Sequence, residues 1–148
     1  MNVSIEIIEK PKREQVVIQC YDINAEINAI LRYIKEMDGS LSGYIDERIH
    51  RISLQDIYYV ETVDNTLFAY TEHQIYELKM KLYEFEALYQ KNSFFRCSKA
   101  AAVNLMKIES VYSILNGRLS ARLYNGEEII ISRQYTRELK KWLLGGSI

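Results

Sequence analysis

Two short segments hold the side chains best suited to gripping a polyanion. Phe94 to Asn104 reads Phe-Phe-Arg-Cys-Ser-Lys-Ala-Ala-Ala-Val-Asn, and Ile131-Ser-Arg-Gln-Tyr135 stands at the mouth of the last amphipathic stretch. Lys and Arg neutralise phosphate, while Arg can bond guanine and Asn adenine through paired donors and acceptors when a turn holds them in place. The charge distribution points the same way. Residues 93–142 carry nine Lys/Arg against four Asp/Glu, a net of +5, and residues 1–92 carry ten against sixteen, a net of −6. A chain whose formal charge is −1 therefore contains a basic half.

Catalytic chemistry finds little support. The two histidines, His50 and His73, have no metal-ligand spacing, and the six glycines form no phosphate-binding loop. Glu127 and Glu128 follow a turn in a strand, where alternation sends them to opposite faces. Cys20 and Cys97 lie far apart and read as small buried hydrophobes. A redox-sensitive Cys97, its pKa lowered by Arg96 and Lys99, is the sharper alternative. No enzyme, metal or cofactor is expected.

These segments need a scaffold, and the composition can build one. The chain has 148 residues, is 48% apolar and contains twelve tyrosines and a single proline, which suits one domain rich in sheet. No apolar run reaches the roughly eighteen residues of a membrane span, and the N-terminus lacks a signal-peptide core. A cytoplasmic protein without membrane insertion is expected.

Val3 to Glu9 and Gln15 to Tyr21 alternate about a turn at Pro11 and predict an opening hairpin. Ile23, Ile27, Ile30, Leu31, Ile34 and Met37 recur at helical spacing, with Gly39 as the stop. Short strands are predicted over Ser40 to Tyr44, Arg48 to Ser53, Ile57 to Thr62, Leu67 to Thr71 and Gln74 to Leu78, with turns at Leu54 to Ile57 and Val63 to Thr66. A helix over Met80 to Tyr89 precedes the Phe94 segment.

Asn116-Gly117 and Asn125-Gly126 separate Ser110 to Leu115, Arg118 to Tyr124 and Glu127 to Ser132, predicting two hairpins with type I′ turns. In the middle strand Leu119, Ala121 and Leu123 face a core, and Arg118, Ser120 and Arg122 form a basic face. Ser132 is the expected N-cap of a closing helix striped by Tyr135, Leu139, Trp142 and Leu143 and stopped by Gly145-Gly146. Arg133 then opposes the positive helix N-terminus, a penalty that a nearby phosphate or base edge would reverse.

The blocks Ile52-Ser-Leu-Gln-Asp-Ile-Tyr-Tyr-Val-Glu61, Phe94-Phe-Arg-Cys-Ser-Lys99 with Val103-Asn104, Lys107-Ile108, and Ile131-Ser-Arg-Gln-Tyr135 follow one another over Ser40 to Leu144. As an ordered set they resemble a LytTR-type DNA-binding domain. The resemblance implies a mainly β fold with short helices, an elongated stack of small antiparallel sheets, here preceded by a β-hairpin plus helix. It also implies that loops, rather than a recognition helix, enter successive major grooves and bend the duplex. Carried over by residue, the reading loops hold Asn65 and Thr66 beside Asp64, then Ser98 and Lys99, then Arg133. Candidate phosphate contacts are Arg96, Lys107, Arg118, Arg122, Ser132, Gln134 and Arg137. Asn104 is expected to satisfy backbone groups in a turn, and Phe94, Phe95, Ile108, Tyr135 and Trp142 to fill the core. Ala100 to Ala102 depart from the family pattern by removing hydroxyl groups.

The organisation expected from this is a 1–39 element for dimerisation or effector binding and a 40–148 DNA-binding domain. Residues 1–39 are too short for a phosphorylated receiver. The expected function is a transcriptional regulator that binds promoter repeats in double-stranded DNA as a homodimer. Its rival is a protein-interaction or ligand-sensing module of the same fold without DNA binding.

Overall fold

The computed structural model describes residues 1–37, 39–89 and 93–145. The chain divides into two compact units, Met1–Tyr33 and Ile34–Ile148.

In the first unit the predicted opening hairpin does not form a ladder. A turn closes where the Lys12 N–H donates to the Glu9 carbonyl (3.1 Å), beside a cis Lys10–Pro11 bond. Neither flank is a strand, and Val3, Ile5 and Ile7 are each at least 90% exposed. Two strands alone bury too little to hold together in water, so alternation by itself overpredicts here. Helix α1, Ala25–Met37, starts where the Asn24 side chain accepts from the Ile27 N–H (2.9 Å), an N-cap bond. Gly39, at φ 68°, lies past its end in the left-handed conformation that Gly adopts without steric cost.

Among the described residues the second unit holds ten strands. In order these are β1 Ser40–Ile45, β2 Arg48–Ser53, β3 Tyr59–Val63, β4 Thr66–Tyr70 and β5 Ile75–Leu78, then helix α2 Leu82–Tyr89. There follow β6 Phe94–Arg96, β7 Ala101–Asn104, β8 Ile108–Ser113, β9 Leu119–Leu123, β10 Glu128–Ile131 and helix α3 Thr136–Leu143. Seven strands pair in the order β2-β1-β5-β4-β3-β7-β6, and β10-β9-β8 make a second sheet. Every pairing is antiparallel. The mainly β, stacked-sheet architecture with short helices is thus the one expected.

Period-two alternation sorts the centre of the large sheet into two cores. Val60, Ala102 and Phe94 pack with Leu82 and Phe85 of α2, and Phe85 meets Phe94 edge-on at 4.9 Å. Tyr59, Ala101, Val103 and Phe95 face the other way and pack with Leu119, Ala121, Leu123 and Ile131 of the small sheet and Leu139 of α3. The strands β6 and β7, absent from the sequence expectation, therefore lie between two cores. All four residues of β7 are buried, so no alternation marks it as a strand.

Several local expectations change. Asp64 and Asn65 both take positive φ, 49° and 63°, as a type I′ turn requires. At the Asn125-Gly126 pair only Gly126 does, at φ 90°, because the loop is three residues long and closes with a Gly126 N–H to Leu123 carbonyl bond (2.9 Å). Asn116 and Gly117 are both left-handed, yet the enclosing bond runs from the Ile114 N–H to the Arg118 carbonyl (3.0 Å), one residue wider than a two-residue hairpin. Ser120 is buried at 2% exposure, so the outer face of β9 is not the continuous basic stripe expected. The Ser132 side chain makes no cap bond: Arg133–Tyr135 is a 3-10 turn that precedes α3. Gly145 (φ 88°) follows the helix end, and Gly146 lies outside the described residues.

Candidate functional site

Three loops carrying the candidate reading residues are tied to one another by backbone hydrogen bonds. The first is the β3–β4 turn with exposed Asp64 and Asn65, followed by half-buried Thr66. The second, residues 98–100, links β6 to β7. It closes on itself through the Cys97 and Ser98 N–H groups, both donating to the Ala101 carbonyl (3.0 and 3.3 Å). The Thr62 N–H at the end of β3 donates to the Ala100 carbonyl (2.7 Å) and joins the first loop to the second. The Ser132 N–H donates to the Cys97 carbonyl (2.7 Å) and joins the third to the second.

The second loop presents Lys99 outward. Ser98 is half-buried, and its Oγ accepts from the Ala100 N–H (3.2 Å), so this hydroxyl braces the loop. Arg96 turns back beneath the loop. Its Nη1 donates to Glu86 Oε2 (2.7 Å), Nε to the Ser98 carbonyl (2.6 Å) and Nη2 to the Lys99 carbonyl (2.6 Å). Ala101 and Ala102 are buried in β7 on opposite faces, where their small size serves packing. Only Ala100 is left as a position where a hydroxyl would have been accessible.

The third loop presents Arg133 and Gln134, both exposed, with Ser132 half-buried. A Cβ added to Gly117 would lie 3.0 Å from Arg133 Cγ and Cδ, so the arginine stem crosses the β8–β9 turn over a glycine. Arg118, the next residue, donates from Nε to the Leu115 carbonyl (3.2 Å) and borders the same place. The Arg133 carbonyl accepts from the Thr136 hydroxyl (2.9 Å), fixing the turn into α3, and exposed Arg137 lies in the first turn of that helix.

Two of the basic candidates stand at the other strand ends. Lys107 follows β7 at the end away from Lys99, its Nζ 4.9 Å from the Tyr58 ring centroid. Arg122 lies towards the end of β9 opposite Gly117 and faces Glu109 at 3.8 Å. The buried Asn104 holds this end together: its Nδ2 donates to the Ile57 carbonyl (2.9 Å) and its Oδ1 accepts from the Met106 N–H (3.1 Å), the structural role expected.

Sequence reasoning missed Lys79 and Lys81. Pairing of Leu67 with Leu78 brings them beside the first loop, where Asn65, Lys79 and Lys81 share a shallow depression of about 340 Å³. Lys79 is already held by Glu77 (3.0 Å), whereas the Lys81 side chain is exposed. The signal was available in the Thr71–Gln74 turn, closed by the Thr71 N–H to Gln74 carbonyl bond (2.9 Å), which sets that register.

The Cys97 thiol is fully buried, and burial pushes its pKa up to about 12, outweighing the lowering by its backbone hydrogen bond and by Arg96. That burial weighs against the redox-sensitive alternative, because an apolar surrounding disfavours the thiolate. Among the described residues no three His, Cys, Asp or Glu side chains converge as a metal site, and no helix is long and apolar enough to cross a membrane.

The family model of the LytTr DNA-binding domain matches residues 47–144. An HTH-type transcriptional regulator of Staphylococcus aureus strain MSSA476 is 29% identical over 145 residues, covering 97% of this chain and 98% of that relative. Its counterpart in strain NCTC 8325 is 28% identical over the same coverage. A solved LytTr DNA-binding domain from Bacillus cereus superposes with a TM-score of 0.65 at 25% identity, covering 72% of this chain and 97% of that one. The relatives' names contain the term HTH, yet in this chain strands separate α1 from α2 and α2 from α3.

Proposed function

The chain belongs to the LytTr DNA-binding domain family, and from that premise we propose that it is a transcriptional regulator reading promoter repeats through its three linked loops. Asn65, Thr66, Lys99 and Arg133 are the base-reading side chains, entering the major groove where donors and acceptors distinguish the four base pairs. Ser98 acts by bracing the second loop. Arg118, Ser132, Gln134 and Arg137, with Lys81, supply phosphate contacts around them. Lys107 and Arg122 add to the field without lying at the reading end.

The observation that carries this reading is the chain of bonds from Thr62 to Ala100 and from Cys97 to Ser132. Three exposed tips joined by backbone hydrogen bonds behave as one rigid reading edge, which fixed spacing between bases demands. Repeated operator sites call for paired protomers, so the protein acts as a homodimer with half-sites at a set separation. It works among the chromosomal DNA of the cytoplasm.

Selection of random duplexes on the purified protein tests this reading. The expected result is recovery of a short motif repeated at constant spacing, with affinity falling steeply as salt rises. Recovery of no motif, together with a flat salt response, would remove DNA reading and leave an interaction module.

A further inference from the structure

We propose that Arg96 and Glu86 form a positioning clamp that sets how Lys99 is presented, controlling the base preference of the second loop without touching DNA. The inference rests on the DNA-reading function above and assigns a role to two residues at its edge.

Strand alternation puts Arg96 on the same face of β6 as Phe94, towards α2, so its side chain runs under the loop rather than out of it. Glu86 stands on α2, one residue after Phe85, whose full burial anchors that turn of the helix. The ion pair between them measures 2.7 Å, and both side chains are substantially shielded, at 24% and 34% exposure. Nε and Nη2 lie on one edge of the planar guanidinium and donate to two successive carbonyls, those of Ser98 and Lys99, each at 2.6 Å. Three of its five N–H donors are thus engaged within the protein.

Three more of the loop's backbone groups are also bound. The Ser98 N–H, the Ala100 N–H and the Ala100 carbonyl have partners in Ala101, the Ser98 side chain and Thr62. The Lys99 side chain is what the loop offers outward. Two carbonyls chelated by one rigid plane fix the peptide planes on either side of Lys99, and hence the direction of its side chain. A lysine at position 96 has no planar fork and cannot hold both carbonyls and Glu86 in this geometry.

Binding of the full-length variants Arg96→Gln, Arg96→Lys and Glu86→Gln to the selected duplex and to a scrambled duplex separates clamp from phosphate contact. Each removed phosphate contact lowers the log–log salt slope by roughly 0.9. The clamp predicts that Arg96→Gln and Arg96→Lys both cut the ratio of specific to scrambled affinity by about tenfold, the scale of one lost base contact. It also predicts an unchanged salt slope on the scrambled duplex. Glu86→Gln keeps the arginine and the helix, so it tests the clamp even where an Arg96 variant unfolds; the ratio should fall there too, about threefold. A slope reduced by roughly 0.9 with the ratio intact would make Arg96 a phosphate contact and overturn the proposal. Ratio and slope unchanged in folded variants would overturn it as well. Failure of the unsubstituted protein to distinguish the two duplexes would instead refute the DNA-reading function.

Discussion

The two ends of the same strands hold basic side chains in different states. At one end of β7 and β9, Lys99 and Arg133 project from loops whose backbones are tied down. At the other, Lys107 lies over the Tyr58 ring and Arg122 faces Glu109. All four contribute equally to the +5 balance of residues 93–142. On the proposed reading, net charge attracts the polyanion, whereas selectivity comes from cations that stand on tied backbones and have no internal partner.

The largest effect should come from the reading end. Arg133→Ala should cost roughly 1 to 3 kcal/mol on the selected duplex and relax preference at one base position, measured by titration against single-base variants. Lys99→Ala should do the same at a different position. Unchanged selectivity in either variant would dissolve the contrast between the two ends.

Gly117→Ala should act next most strongly, and indirectly. It places a side chain at φ 73° and within 3.0 Å of the Arg133 stem, costing about 1 to 2 kcal/mol of stability. The displaced Arg133 should weaken specific binding further than scrambled binding. A melt that matches the parent would show that the turn relaxes freely.

Lys107→Ala and Arg122→Ala should change specific affinity by less than about 0.5 kcal/mol and leave base preference alone, because neither lies among the reading loops. A salt slope reduced by roughly 0.9 in either variant would make that end a phosphate contact.

At neutral pH the smallest effect concerns Cys97 at the base of the second loop. Its thiol ionises near pH 12 in the fold against an ordinary 9.0, so folding favours the protonated form. Below about pH 8 both states are protonated and stability is indifferent to this group. As pH rises from about 9 towards 12 the unfolded chain ionises first, and stability is lost across that window. A thiol reagent at neutral pH should label exposed Cys20 alone in the native protein and both cysteines after denaturation. Rapid labelling of both in the native state would show that the loop base opens.

Legibility in the sequence followed how each element meets solvent. The β8–β9–β10 meander was readable because one face is largely wet and Asn-Gly pairs mark its turns, although the loops proved wider than two residues. The β6–β7 hairpin was invisible as strands, since both of its faces are covered and Ala101 to Asn104 show no period. Only its chemistry, and the ordered resemblance around it, marked it as a loop of interest. The opening hairpin failed for the reverse reason: Val3, Ile5 and Ile7 alternate, but nothing in their own unit buries them. At the site, residue types at the loop tips could be named from the sequence. The bonds that join the loops are backbone bonds and leave no trace in residue identity. The inward turn of Arg96 likewise depends on which face of β6 meets α2, so the sequence grouped it with the outward cations.

The most direct test of the linked reading edge is a base-by-base discrimination profile of Lys99→Ala and Arg133→Ala on the selected duplex, each compared with the parent protein. Two separate positions relaxing, one per variant, with the rest of the profile kept, is the predicted result. A uniform loss over all sequences from both variants would contradict it and reduce these loops to electrostatic contacts.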